Sequence, residues 1–165
     1  KLVVTGLLLT ALSLWDMSGF SPQMDAWPVI RSGIVQGLGL GLVFVPLSTV
    51  AFATLEPRYR ADATSLFSLV RNIGSSIGIS VVSVLLTRNV QINHAELSAF
   101  ITPWNPMLIS ASPLAAAGNP TALASVDGLV NLQAAMISYL NDFWLMMWIT
   151  LATIPLALAL RRPGR

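Results

Sequence analysis

Long uncharged runs alternate with short polar segments and divide the chain into four apolar stretches. The first runs from Leu2 to about Phe20, uncharged from Leu2 to Trp15 and then reaching Asp16. Ser21–Pro28 (SPQMDAWP) holds two prolines and Asp25, a poor helix interior, and predicts a turn. A second helix is predicted over 29–54, with no charge between Ser32 and Leu55. The link LEPRYRAD, Leu55 to Asp62, carries Glu56, Arg58, Arg60 and Asp62, and places Asp62 to cap the next helix. That third helix covers Ala63–Thr87 and ends at Arg88. A mixed insert follows over 89–140, with Pro103, Pro106, Pro113 and Pro120. Within it QINHAELSAF reads as a short surface helix, TPWNP as a turn, and Val126–Leu140 as a helix running into the last span. The fourth span is 141–160, with Asn141–Asp142 as its N-cap, Pro155 inside it, and Arg161, Arg162 and Arg165 behind it. At ~1.5 Å per residue these stretches match ~30 Å of hydrocarbon, the first only just. The chain thus divides into 1–88 with three spans, 89–140 as an extracytoplasmic loop with partial helix, and 141–165 as a last span with a cytoplasmic tail.

The third span carries the sharpest polar signal. Ser68, Arg71, Asn72, Ser75 and Gly78 share one broad helical stripe, while Leu66, Leu69, Ile73, Ile77, Val81 and Val84 lie largely opposite. A guanidinium deep in a bilayer costs roughly 2.5–3.5 kcal/mol on insertion scales, so Arg71 should face protein or a wet cavity. Two readings stand: Arg71 and Asn72, with Ser75, line a substrate cavity, or Arg71 and Asn72 lock helices together. In the second span Gly33, Gly37 and Gly41 recur every four residues with Gly39 between them. That stripe, with Gly74 and Gly78, predicts close helix packing. Pro46 removes a backbone donor and predicts a kink or hinge, and Gln36 is a further polar group for the cavity.

Composition places these spans in a membrane. Of 165 residues 55% are hydrophobic and 10% charged, and mean hydropathy is +0.73, against about 25% charged in soluble domains. The net charge of +2, with arginines that form no single face, gives no nucleic-acid footprint. With no cysteine and one histidine, His94, no metal site or disulfide is expected. No Ser/His/Asp or paired-carboxylate arrangement points to an enzyme. Lys1 is not a start methionine and no signal peptide follows, so a piece of a longer protein is expected. Lys1, Arg58, Arg60, Arg161, Arg162 and Arg165 fall on one side and Arg31 and Arg88 on the other, which puts both ends and the LEPRYRAD loop in the cytoplasm. Asp16 is either a proton carrier or an interfacial charge, Asp142 a cap or a contact for cationic solutes at the outer mouth, and His94 a surface residue.

The run GLGLGLVFVPLSTVAFATLEPRYRADATSLFSLVRNIGSSIGISVV resembles the fourteen-helix drug/proton antiporters of the major facilitator superfamily, the EmrB/QacA-like group. The matching positions are Gly37, Gly41, Pro46, Leu55–Glu56–Pro57, Arg58 or Arg60, Ala63, Ser65–Leu66, Arg71, Gly74 and Ser76–Ile77–Gly78, with Glu56 where many members have a second proline. NHAEL, PWNP and NDFW add to the likeness. The resemblance implies an all-α polytopic fold, the chain forming its last four transmembrane helices. It implies an inner-membrane multidrug efflux pump that exports amphipathic or cationic drugs and toxins by proton antiport with alternating access. The proton gradient supplies the energy and no cofactor is needed. The lipid bilayer, a periplasmic adaptor protein and an outer-membrane channel are the implied partners. Other classes that fit the residues are a carrier of another small solute and a non-transporting membrane scaffold.

Overall fold

The computed structural model describes residues 1–53 and 56–159. Thr54 at the end of the second predicted span, Leu55 of the link, Leu160 at the end of the fourth, and Arg161, Arg162 and Arg165 lie outside the described residues. Among the described residues the fold is all-α, in the order α1 (Leu2–Met17), α2 (Ala26–Ala53), a 3-10 turn (Pro57–Tyr59), α3 (Arg60–Ser98), α4 (Pro106–Ala111), α5 (Pro113–Ala116) and α6 (Pro120–Ala159). Three of these helices, α2, α3 and α6, are long and apolar enough to cross a membrane. The 16-residue α1 is apolar but shorter.

Helix ends fall where backbone chemistry changes, and this shifts several of the boundaries read from the sequence. α2 starts at Ala26, ahead of Pro28, because a proline in the first turn has no intrahelical N–H to lose. Asp62 sits in the first turn of α3, not before it, where its charge complements the helix dipole. Arg88 does not end α3, which continues to Ser98. Arginine is a strong helix former, and a charge ends a hydrophobic run without breaking hydrogen bonds. For the same reason Asn141–Asp142 is no cap but lies well inside α6. The cap is Asn119, whose Oδ1 accepts from the N–H groups of Thr121 at 3.0 Å and Ala122 at 3.1 Å, with Pro120 as the first helical residue. Asn105 does the same for α4 ahead of Pro106, accepting from Met107 N at 2.9 Å. Gly118, at φ 82°, makes the left-handed turn out of α5. Its N–H donates to Ala115 O, and Asn119 N–H to Leu114 O, closing the helix end.

The chain forms two compact units: one holds Lys1–Val81 with the chain from Phe143 onward, the other Val82–Asp142. In the first, α1 packs on α2. Ala11, Leu14 and Met147 form its buried apolar core, with Phe143, Met146 and Leu151 against it. Phe52 of α2 meets Phe67 of α3 edge-on at 5.6 Å. α2 is continuous through Pro46, and α6 through Pro155. Next to Pro46 the hydroxyls of Ser48 and Thr49 donate back to the carbonyls of Phe44 and Val45. In the second unit the end of α3 is tied to the start of α6. Asn93 Nδ2 donates to Ser138 Oγ at 2.9 Å, and His94 Nε2 lies 3.0 Å from Asp127 Oδ1. His94, expected as a surface residue, is partly exposed and paired with a carboxylate.

Candidate functional site

The polar stripe of α3 is present and uncovered. No described residue of α3 is buried, and Arg71, Asn72 and Ser75 are all exposed. The Arg71 guanidinium lies over the Phe44 ring of α2, 5.5 Å from its centre, a distance at which the ring quadrupole attracts the cation. Ser75 Oγ donates to the Asn72 carbonyl at 3.0 Å. Gln36 is half-buried on α2, two turns before Phe44, and among the described residues no hydrogen bond joins it to Arg71, Asn72 or Ser75. The structure thus brings Arg71 to α2 but does not assemble the four predicted cavity residues into one group.

The expected glycine contacts are also redistributed. Around Gly33, Gly37, Gly41, Gly74 and Gly78 no described atom beyond the adjoining backbone of the same helix stands within 4 Å of where a Cβ would be. The contact belongs to Gly6 and Gly39. A Cβ on Gly6 would lie 2.6 Å from Gly39 O and 2.8 Å from Val43 Cγ2; one on Gly39 would lie 2.6 Å from Thr10 Oγ1 and 2.9 Å from Gly6 O. Only bare backbone fits there. At ~100° per residue Gly39 points almost opposite to Gly37, so the repeating stripe faces away from α1. The repeat draws the eye to the face with the longest run of glycines; the single Gly39 opposite Gly6 has no such repeat to mark it.

A polar knot closes the other end of the α1–α2 pair. Arg31 Nη2 donates to Asp16 Oδ1 at 2.7 Å and Oδ2 at 2.9 Å. Ser32 Oγ donates to Asp16 Oδ2 at 2.5 Å, and Ser13 Oγ donates to Ser32 O at 2.7 Å. Ser13 and Ser32 are 2% and 1% exposed. Asp16 is therefore a fastening between helices. Its partners are hidden in the sequence because Arg31 and Ser32 come from across a turn, fifteen and sixteen residues on.

The cytoplasm-assigned Arg58 pairs with Glu56 at 2.9 Å and lies 4.5 Å from the centre of the Tyr59 ring, while Arg60 opens α3. An apolar cavity of about 400 Å³ opens between the start of α1 and Pro46, Leu47 and Val50 of α2, with Ala157 of α6. It places Pro46 on a cavity wall, and none of Arg71, Asn72, Ser75 or Gln36 lines it. No group of His, Asp and Glu among the described residues has metal-binding geometry.

Comparison with known proteins gives relatives named for export or resistance. The chain is 38% identical over 101 residues to the multidrug resistance protein B homolog of Mycobacterium tuberculosis, covering 60% of this chain and 18% of that protein. It is 32% identical over 111 residues to the multidrug export protein EmrB of Escherichia coli K12, covering 64% and 21%. With the fatty acid resistance protein FarB of Neisseria gonorrhoeae identity is 32% over 109 residues, covering 66% and 22%. The chain spans 18% to 22% of the length of these relatives. No family model matches it, and no solved structure does.

Proposed function

From its homology to the EmrB-type multidrug resistance transporters of the major facilitator superfamily, we propose that this chain is part of a multidrug efflux transporter of the cytoplasmic membrane. It would export amphipathic or cationic toxic compounds by proton antiport with alternating access. Both chain ends would be cytoplasmic, following the Lys and Arg count. The observation that carries the reading is Arg71, an exposed cation within a long apolar helix. Such a group is costly against lipid and is kept where it works in a pathway or contact. Arg71, Asn72 and Ser75, with Gln36 from α2, are the residues we assign to the cavity. The open glycine faces of α2 and α3 are assigned to helices of the same transporter that slide against them. Relatives named for fatty acid and colistin resistance support an amphipathic substrate. Where the cell has an outer membrane, the loop over 89–140 is the region we assign to a periplasmic adaptor protein leading to an outer-membrane channel.

A second reading is favoured by the Phe44 contact: Arg71 as a lock between α2 and α3. The two separate in everted vesicles carrying the full-length transporter. A preformed pH gradient is challenged with lipophilic cations, for wild type and Arg71→Ala at matched abundance. Proton release by wild type and none by the variant supports antiport with Arg71 in the mechanism. Equal responses make Arg71 the lock. No response to any compound overturns proton-coupled drug efflux.

A further inference from the structure

Asp142 is 3% exposed, and its Oδ2 is buried with no hydrogen-bond partner among the described residues. It continues a buried stripe along α6. Ala134, Ser138 and Asp142 follow at four-residue spacing, the first two at 0% exposure. The one donor of Ser138 is spent, since its hydroxyl donates to Ala134 O at 2.7 Å while accepting from Asn93, so it has none to offer Asp142. The apolar run Phe143–Met147 follows directly.

The charged groups of the same unit leave Asp142 alone. α3 contributes Arg88, His94 and Glu96, α6 contributes Asp127, and α4 and α5 contribute none. His94 and Asp127 pair with each other, and Asn131 Nδ2 donates to the second oxygen of Asp127 at 3.1 Å. Among the described residues no ion pair reaches Asp142. Asp16, the other partly covered carboxylate borne on a helix, has an arginine and a serine hydroxyl on it. An ionised carboxylate buried without a partner is costly, by several kcal/mol in real proteins. A neutral acid avoids that cost and gains an O–H donor.

We infer that Asp142 is a proton-binding site, its buried carboxyl held as the neutral acid. Loading transfers a proton from hydronium to the carboxylate: one O–H bond of hydronium breaks, leaving water, as the carboxyl O–H bond forms. Release breaks that bond, leaves the electron pair on oxygen and returns the proton to water. This assignment does not rest on the transport reading, and its test uses no substrate. Infrared difference spectra between alkaline and neutral pH are recorded on the full-length transporter in lipid nanodiscs. The carbonyl stretch of a protonated acid is expected for wild type, and it should shift on aspartate-selective ¹³C labelling. It should be lost in Asp142→Asn and kept in Asp16→Asn. Should Asp142→Asn fail to fold, Asp142→Glu serves: the acid band remains but no longer responds to labelled aspartate. No acid band in wild type, or an aspartate band that survives either Asp142 substitution, overturns the site.

Discussion

The two faces of α2 make an instructive pair. One carries Ser32, Gly39, Leu42 and Val43 and is pressed against α1, with backbone meeting backbone at Gly6 and Gly39. On the other, nothing outside α2 stands within 4 Å of a Cβ at Gly33, Gly37 or Gly41, and contact with α3 is left to the aromatic side chains Phe44 and Phe52 further along. Glycine is equally bare on both. What differs is whether a partner helix has a matching gap, as Gly6 provides on α1. A glycine stripe therefore marks where a backbone can approach and does not say which neighbour has done so.

Substitutions can break or sharpen that contrast. The largest effect is expected from Gly39→Leu, or Gly6→Leu, since the new side chain must displace backbone. Overpacking of this kind costs typically ~1–3 kcal/mol, occasionally more, and should appear as a clear fall in melting temperature of the detergent-solubilised protein. Next is Asp16→Ala, which strands Arg31 and removes the acceptor for Ser32. A loss of about 1 kcal/mol is expected for a half-exposed pair with one buried hydrogen bond. A double-mutant cycle with Arg31→Ala should return most of it as coupling. His94→Gln should cost less, ~0.2–1 kcal/mol as a partly exposed pair, read by faster amide hydrogen exchange near Asn93 and Asp127. No loss is expected for Gly37→Ala, which meets open space and gains helix propensity, a stabilisation of roughly 0.5–1 kcal/mol. If Gly37→Ala leaves stability intact but slows the export proposed above when placed in the full-length protein, the open face is a working surface. If Gly37→Ala destabilises as Gly39→Leu does, the contrast between the faces fails.

Much of this fold was legible in the residues. Uncharged runs located the long apolar helices, and the turn SPQMDAWP fell where α1 gives way to α2. Helix ends were less legible, because hydropathy reports the solvent and not the hydrogen-bond ladder. Arg88 and Asp142 change the solvent preference while the helices run on through them. The true stops are written in Asn105–Pro106 and Gly118–Asn119–Pro120, where caps, a left-handed glycine and a missing N–H coincide. For the candidate site, the sequence picked out Arg71 but not Phe44 beneath it, since any aromatic on a neighbouring helix would have served equally well on paper. The partners of Asp16, and the absence of any for Asp142 among the described residues, depend on chain segments that only folding brings together.

The core of the first unit also imposes an order in time. α1 and α2 are separated by a short turn, so their glycine contact closes a small loop and can form as soon as both have emerged. Ala11 and Leu14 must wait for Met147, which is made more than a hundred residues later. At roughly 5–20 residues per second of synthesis, that interval is on the order of ten seconds. For that time Gly6, Gly39 and the Asp16 knot already join α1 to α2 while the Met147 contact with Ala11 and Leu14 is still to be made.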